Sequence, residues 1–97
     1  MIKVVANLMI KPECIDDAIA LYDPFIDLTR AEDGCRSYEL FQGMEDPCAF
    51  TFIEEWETQE DCDKHLQSPN FLAILPQEMA MQQEGTALVV NLLHKIK

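Results

Sequence analysis

Among the side chains of this sequence, only His65 and His94 have an ordinary titration near neutrality, where a proton can be taken and returned. His65 lies in the run Phe50 to Phe71 (FTFIEEWETQEDCDKHLQSPNF), together with the only tryptophan, Trp56, and two adjacent glutamates, Glu54 and Glu55. An imidazole there could serve as a base or a hydrogen-bond donor; it could equally be a half-buried helix histidine bonded to backbone. His94, close to the end, reads as a surface residue. Glu54 and Glu55 occupy successive strand positions and so point to opposite faces, which rules them out as a paired-carboxylate site. Whichever faces inward needs a partner such as Arg36. Trp56 and Tyr38 could stack on a bound ring, or could fill the core or an interface. Phe71 and Leu72 line a pocket or the core, and nothing in the sequence separates those roles. Asn7 places an amide in the middle of a strand, where it could bond a ligand oxygen or be satisfied by backbone.

The elements that must carry these residues follow from periodicity. Residues 2 to 10 alternate: Ile2, Val4, Ala6, Leu8 and Ile10 form an apolar face expected to lie under helices, and Lys3, Val5, Asn7, Met9 and Lys11 form a mixed one. Pro12 suits the first turn of a helix whose apolar stripe runs Ile15, Ala18, Ile19, Tyr22, Phe25, Ile26 and Thr29, with a kink expected at Pro24 and a cap at Gly34. Cys35 to Gln42 and Ala49 to Glu57 read as a hairpin around GMEDP. Thr58 with Asp61 resembles a capping box for a helix to about Leu66. Ser68-Pro69 opens another helix, bent or broken at Pro76, and Gly85 ends the helical region. Thr86 to Ile96 is expected to be a last strand. The resulting order, β-α-β-β-α-β, is the ferredoxin-like α+β pattern with a four-stranded antiparallel sheet covered on one face. The uncovered face carries either the Phe50, Phe52 and Trp56 row or Ile53, with Val5 and Met9. Such a face predicts a partner, most simply a second copy related by a two-fold axis.

The totals narrow the function classes. Ninety-seven residues make a single domain over 1–97, and the 48% apolar content belongs to a folded chain. A net charge of −11 argues against nucleic acid and anionic membrane surfaces, both of which need a cationic face. The opening run MIKVVANLMI is broken by Asn7 and followed by Lys11 with no small-residue cleavage site, so the cytoplasm is the expected location. Cys14, Cys35, Cys48 and Cys62 have no CxxC spacing and no paired histidines; they are expected to be free thiols, with no metal site. No glycine-rich phosphate loop points to a nucleotide cofactor.

With this order in view, the chain resembles the antibiotic biosynthesis monooxygenase family, including quinol monooxygenases. The likeness rests on Asn7, Gly34-Cys35 before Ser37-Tyr38-Glu39-Leu40-Phe41, Asp46-Pro47, Phe52-Ile53-Glu54-Glu55-Trp56-Glu57, His65-Leu66 and Ser68-Pro69-Asn70-Phe71. It covers essentially the whole chain. The resemblance implies a dimeric α+β barrel, with two subunits packed sheet against sheet and a pocket between sheet and helices in each. It implies oxidation of a quinol, phenol or anthrone by dioxygen with no metal and no flavin, the protein binding the ring, assisting deprotonation and excluding water. It gives Asn7 the role of bonding a phenolate or peroxide oxygen and gives His65 a role in the pocket. The haem-degrading branch has a tryptophan at this position and an iron-binding histidine ten residues later; Leu75 stands there in this sequence, against haem. Two alternatives stay open: a non-redox, isomerase-type enzyme moving a proton on a small oxygenated metabolite, and a ligand-binding dimer without catalysis. The pocket lining discriminates among the three.

Overall fold

The computed structural model describes residues 1–97. Its elements are β1 (Ile2–Met9), a 3-10 turn (Pro12–Cys14), α1 (Ile15–Arg30), β2 (Cys35–Gln42), β3 (Ala49–Trp56), α2 (Gln59–Leu66), α3 (Pro69–Met81) and β4 (Val89–Leu93). The strands form one antiparallel sheet in the order β2-β3-β1-β4, the ferredoxin-like arrangement read from the sequence. The second helical segment is split into α2 and α3. Thr58 caps α2 by accepting from the Asp61 amide at 3.1 Å, and Ser68 caps α3 by accepting from the Phe71 amide at 3.1 Å.

Period-two alternation assigns each face. Val4, Ala6, Leu8 and Ile10 are buried beneath the helices, opposite Phe50, Phe52, Glu54 and Trp56. From the helix side come Ala18, Tyr22, Phe25 and Thr29 of α1, with Cys62 of α2 and Ile74 of α3. The uncovered face is therefore the one bearing Val5, Met9 and Ile53, all half-buried, and not the Phe50, Phe52 and Trp56 row. Ile53 pairs with Val5 on one side and with Glu39 on the other.

Several boundaries differ from expectation. β4 spans only Val89–Leu93, the stretch that pairs with Lys3 to Asn7 of β1. α1 ends at Arg30, with the Ala31 amide bonded back to Leu28; Gly34 instead takes a left-handed turn (φ 76°) into β2. A side chain at Gly34 would also strike Asp61 at the start of α2. The helices continue through Pro24 and Pro76 without a break.

Candidate active site

The helix-covered face leaves a cavity of about 50 Å³ between the sheet and α2 and α3. Val4, Ala6 and Phe52 form its floor, and Phe25, Tyr38 and Phe71 add aromatic walls. Leu66 and three residues of the β4 segment, Leu88, Val90 and Leu92, form the outer rim. Its polar groups are His65, Tyr38, Glu54 and Glu78; no lysine or arginine lines it.

His65 is placed by the α2 cap: a helix opening at Thr58 brings residue 65 into its last turn, facing the sheet. The imidazole is 2% exposed. It packs against Trp56 (ring centroids 4.9 Å apart), Phe71 (5.2 Å), Tyr38 (5.4 Å) and Phe25 (6.0 Å). Nδ1 lies 2.9 Å from Glu32 Oε1, in the turn after α1. A carboxylate can only accept, so Nδ1 carries the proton and Nε2 keeps its lone pair. Nε2 is 3.5 Å from the Tyr38 hydroxyl, too far for a strong bond. Burial lowers the imidazole's pKa, and the contact with Glu32 only partly offsets it, so His65 is neutral near pH 7. A neutral imidazole with one nitrogen fixed and the other free is arranged to take a proton.

The structure resolves the glutamate pair. Glu54 faces inward, 6% exposed, and its partner is not Arg36: Trp56 Nε1 donates to Glu54 Oε1 at 2.9 Å, while Arg36 pairs with Glu57 at the surface. Burial, reinforced by the charge of Glu32 and opposed by the Trp56 bond, pushes Glu54 up to about 7. Glu55 faces the other way and pairs with Lys3 at 3.5 Å. Glu78 of α3 is 5% exposed, and burial raises its pKa as well. Burial holds the Tyr38 hydroxyl well above its ordinary value, so it stays protonated. No three His, Cys, Asp or Glu side chains converge closely enough to hold a metal ion.

The profile of the antibiotic biosynthesis monooxygenase family matches residues 1–77. The chain belongs to this family. It is 37% identical over 71 residues to a Mycobacterium tuberculosis protein named as a monooxygenase without demonstrated activity, a match covering 73% of this chain and 69% of that one. An uncharacterized protein of Synechocystis is 36% identical over 70 residues, or 72% of this chain; the match spans only 48% of the Synechocystis protein. A crystal structure described as an antibiotic biosynthesis monooxygenase superposes over 100% of both chains with a TM-score of 0.93 at 36% identity. A conserved protein from Methanosarcina mazei superposes with a TM-score of 0.91 at 31% identity, over 97% of this chain and 91% of that one.

Within this family member, the expected site residues separate. His65, Tyr38 and Phe71 meet at the cavity. Trp56 is fully buried behind it, stacked on His65 and bonded to Glu54, so it supports the wall without forming it. Leu72 is 53% exposed and lies outside, because α3 turns it away when Phe71 points in. Asn7, to which the resemblance gives a pocket role, lies on the face of the sheet opposite the cavity. It is solvent-exposed and accepts a 2.7 Å hydrogen bond from Thr51. The β1 alternation requires this: if Val4 and Ala6 face the helices, Asn7 cannot. Glu32 and Glu78 were not singled out from the sequence. Glu32 follows a helix end, where periodicity gives no side-chain direction, and Glu78 reads as an ordinary polar helix residue.

Proposed function

We propose that the protein is a cofactor-independent monooxygenase that oxidises a quinol, phenol or anthrone with dioxygen, using His65 as the base. The observation carrying this reading is the His65 imidazole, fixed through Nδ1 by Glu32 and enclosed by aromatic rings at the wall of a largely apolar cavity. Deprotonation of a ring hydroxyl or an activated C–H by Nε2 would make the substrate electron-rich enough to give an electron to dioxygen. Water exclusion by Phe25, Phe52 and Phe71 would protect the reactive intermediate. The enclosed volume of about 50 Å³ is about a third of a cavity known to hold benzene, so a ring would fill the mouth between Leu66 and β4 as well.

That small volume is also the observation favouring the second reading, a non-redox proton transfer on a small oxygenated metabolite with the same His65 base. A filled, non-catalytic pocket has less support, since Met79 lies outside it, 70% exposed. The homodimer belongs to the proposal too: Val5, Ile53, Phe41, Val89 and Leu93 leave an apolar sheet face that a second copy would cover. The four free thiols suit a reducing, cytoplasmic setting.

The test is oxygen uptake by metal-stripped protein over hydroquinones and anthrones. Wild-type uptake should exceed autoxidation, and His65→Ala should lower it by roughly 10²- to 10⁴-fold while keeping the fold. Uptake equal in His65→Ala and wild type would remove the base assignment. No uptake on any substrate would leave the proton-transfer reading in its place.

A further inference from the structure

Glu54 is a buried carboxyl with only one of its two oxygens engaged. Trp56 holds Oε1, and Oε2 has no hydrogen-bond partner. The Tyr22 hydroxyl is the one buried polar side-chain atom that lacks both solvent contact and a partner. Oε2 of Glu54 must therefore keep accessible surface, and the cavity is the opening that this inward-facing residue lines. The same indole that fixes Glu54 packs on His65, so the two groups are held against one tryptophan.

The surroundings decide what Oε2 can do. Glu32 lies in the turn after α1, Cys35 and Tyr38 on β2, Cys62 and His65 on α2, and Glu78 on α3; β1 and β4 contribute only apolar side chains to the cavity. No cation lines the cavity and burial disfavours a charged His65, so the Trp56 bond alone favours an ionised Glu54 and no positive charge compensates an anionic ligand beside it. Below about pH 7 a carboxyl in such a setting keeps its proton and can donate it into the apolar cavity.

We propose that the open oxygen of Glu54 is a ligand-binding group that donates its proton to an oxygen on the bound ring, so that the cavity accepts uncharged oxygen-bearing rings and rejects carboxylates. During proton abstraction by His65, the same donor would stabilise negative charge gathering on that oxygen. The inference rests on the reading that the cavity takes an aromatic ring, but it does not require turnover.

The test uses acetophenone and its near-isostere benzoate, with binding to the full-length protein followed through the fluorescence of the single Trp56. Acetophenone should bind wild type at pH 6, and its affinity should fall by at least about tenfold by pH 9 as Glu54 ionises. Burial lowers the His65 imidazole, which is present in both wild type and Glu54→Gln and so cancels in their difference, and burial keeps the thiols of Cys35 and Cys62 protonated up to about 11. Glu54→Gln, which keeps an N–H donor, should bind with no pH dependence. Benzoate should not bind at either pH. By linkage, acetophenone should also raise the titration midpoint of the Glu54 carboxyl in wild type, read by carbon-13 NMR; this arm stands even if Glu54→Gln fails to fold.

A pH dependence that persists in Glu54→Gln and disappears in Glu78→Gln would transfer the role to Glu78 and overturn the proposal. Equal affinity for benzoate, absence of acetophenone binding at pH 6, or an unmoved Glu54 midpoint would overturn it as well. Oxygen uptake without acetophenone binding would sink this inference alone. Binding as described with no oxygen uptake on any substrate would sink the oxidation reading and leave Glu54 in place.

Discussion

The two faces of the sheet are built from the same four strands and behave as opposites. On the helix side, β3 presents Phe50, Phe52, Glu54 and Trp56, all buried, with polar groups that are few, enclosed and shifted in their titration. On the other side the same strand presents Thr51, Ile53 and Glu55, which meet ordinary surface partners: Thr51 bonds Asn7 and Glu55 pairs with Lys3. The difference is one of solvent. Glu55 lies at the surface with a lysine at 3.5 Å, whereas one residue earlier burial pushes the Glu54 carboxyl up to about 7. Under the function proposed above, chemistry would belong to the first face and association to the second.

The comparison can be broken most forcefully at Trp56. Trp56→Ala should destabilise the fold by about 3–5 kcal/mol, because a fully buried ring is lost and both His65 and Glu54 lose support; chemical denaturation checks this. A stable, folded but inactive variant would instead place Trp56 in the site.

Next comes pH. The carboxyl of Glu54 holds its proton longer in the folded state than in the unfolded chain. Its presence therefore costs nothing at low pH, and wild type loses stability as pH rises from about 4.5 to about 7. Relative to Glu54→Gln, that loss should approach about 3 kcal/mol by pH 8. His65 acts in the opposite direction, since its lowered value makes folding easier as pH rises towards 6.5, but it is common to both proteins and cancels in the difference. Parallel stability profiles for the two proteins would show that Glu54 is solvated.

On the open face the expected effect is on assembly. Ile53→Lys should convert a dimer to a monomer in analytical ultracentrifugation while leaving the helix-side core folded, because Ile53 sits centrally between Val5 and Glu39. A dimer unaffected by this charge would mean that the copies meet elsewhere. The smallest effect is expected at Asn7. Asn7→Ala removes one exposed hydrogen bond to Thr51, worth about 1 kcal/mol or less, and should leave kcat/KM within about twofold. A hundredfold fall would return the amide to the site and undo the division between faces.

Much of this architecture was legible before any coordinates. The alternation of β1, the Thr58 and Ser68 caps and the proline at the first turn of α3 are local signals, and local signals survive folding. His65, Tyr38 and Phe71, singled out through the family-like runs, all line the cavity. The rest depends on where elements meet. Alternation shows that Glu54 and Glu55 part company, but only pairing with Val4 and Lys3 of β1 decides which goes inward. Glu32 becomes a partner of His65 only through the fold, across a sequence gap of 33 residues. The misplacement of Asn7 has a simpler origin: a resemblance assigned it to the pocket, whereas its own strand pattern already placed it on the opposite side.

β4 bears on how anything enters. It is five residues long, pairs only with β1, and has every residue exposed, yet Leu88, Val90 and Leu92 from this segment close the rim of the cavity. In a single copy, before any partner covers Val89 and Leu93, a strand held along one edge with little packing has the lowest cost of local opening in a sheet, so its amides should exchange with deuterium faster than those of β1 and β3. Entry to the cavity would then be timed by fraying of this chain segment, and the rate of ligand capture would follow the exchange rate of residues 89 to 93.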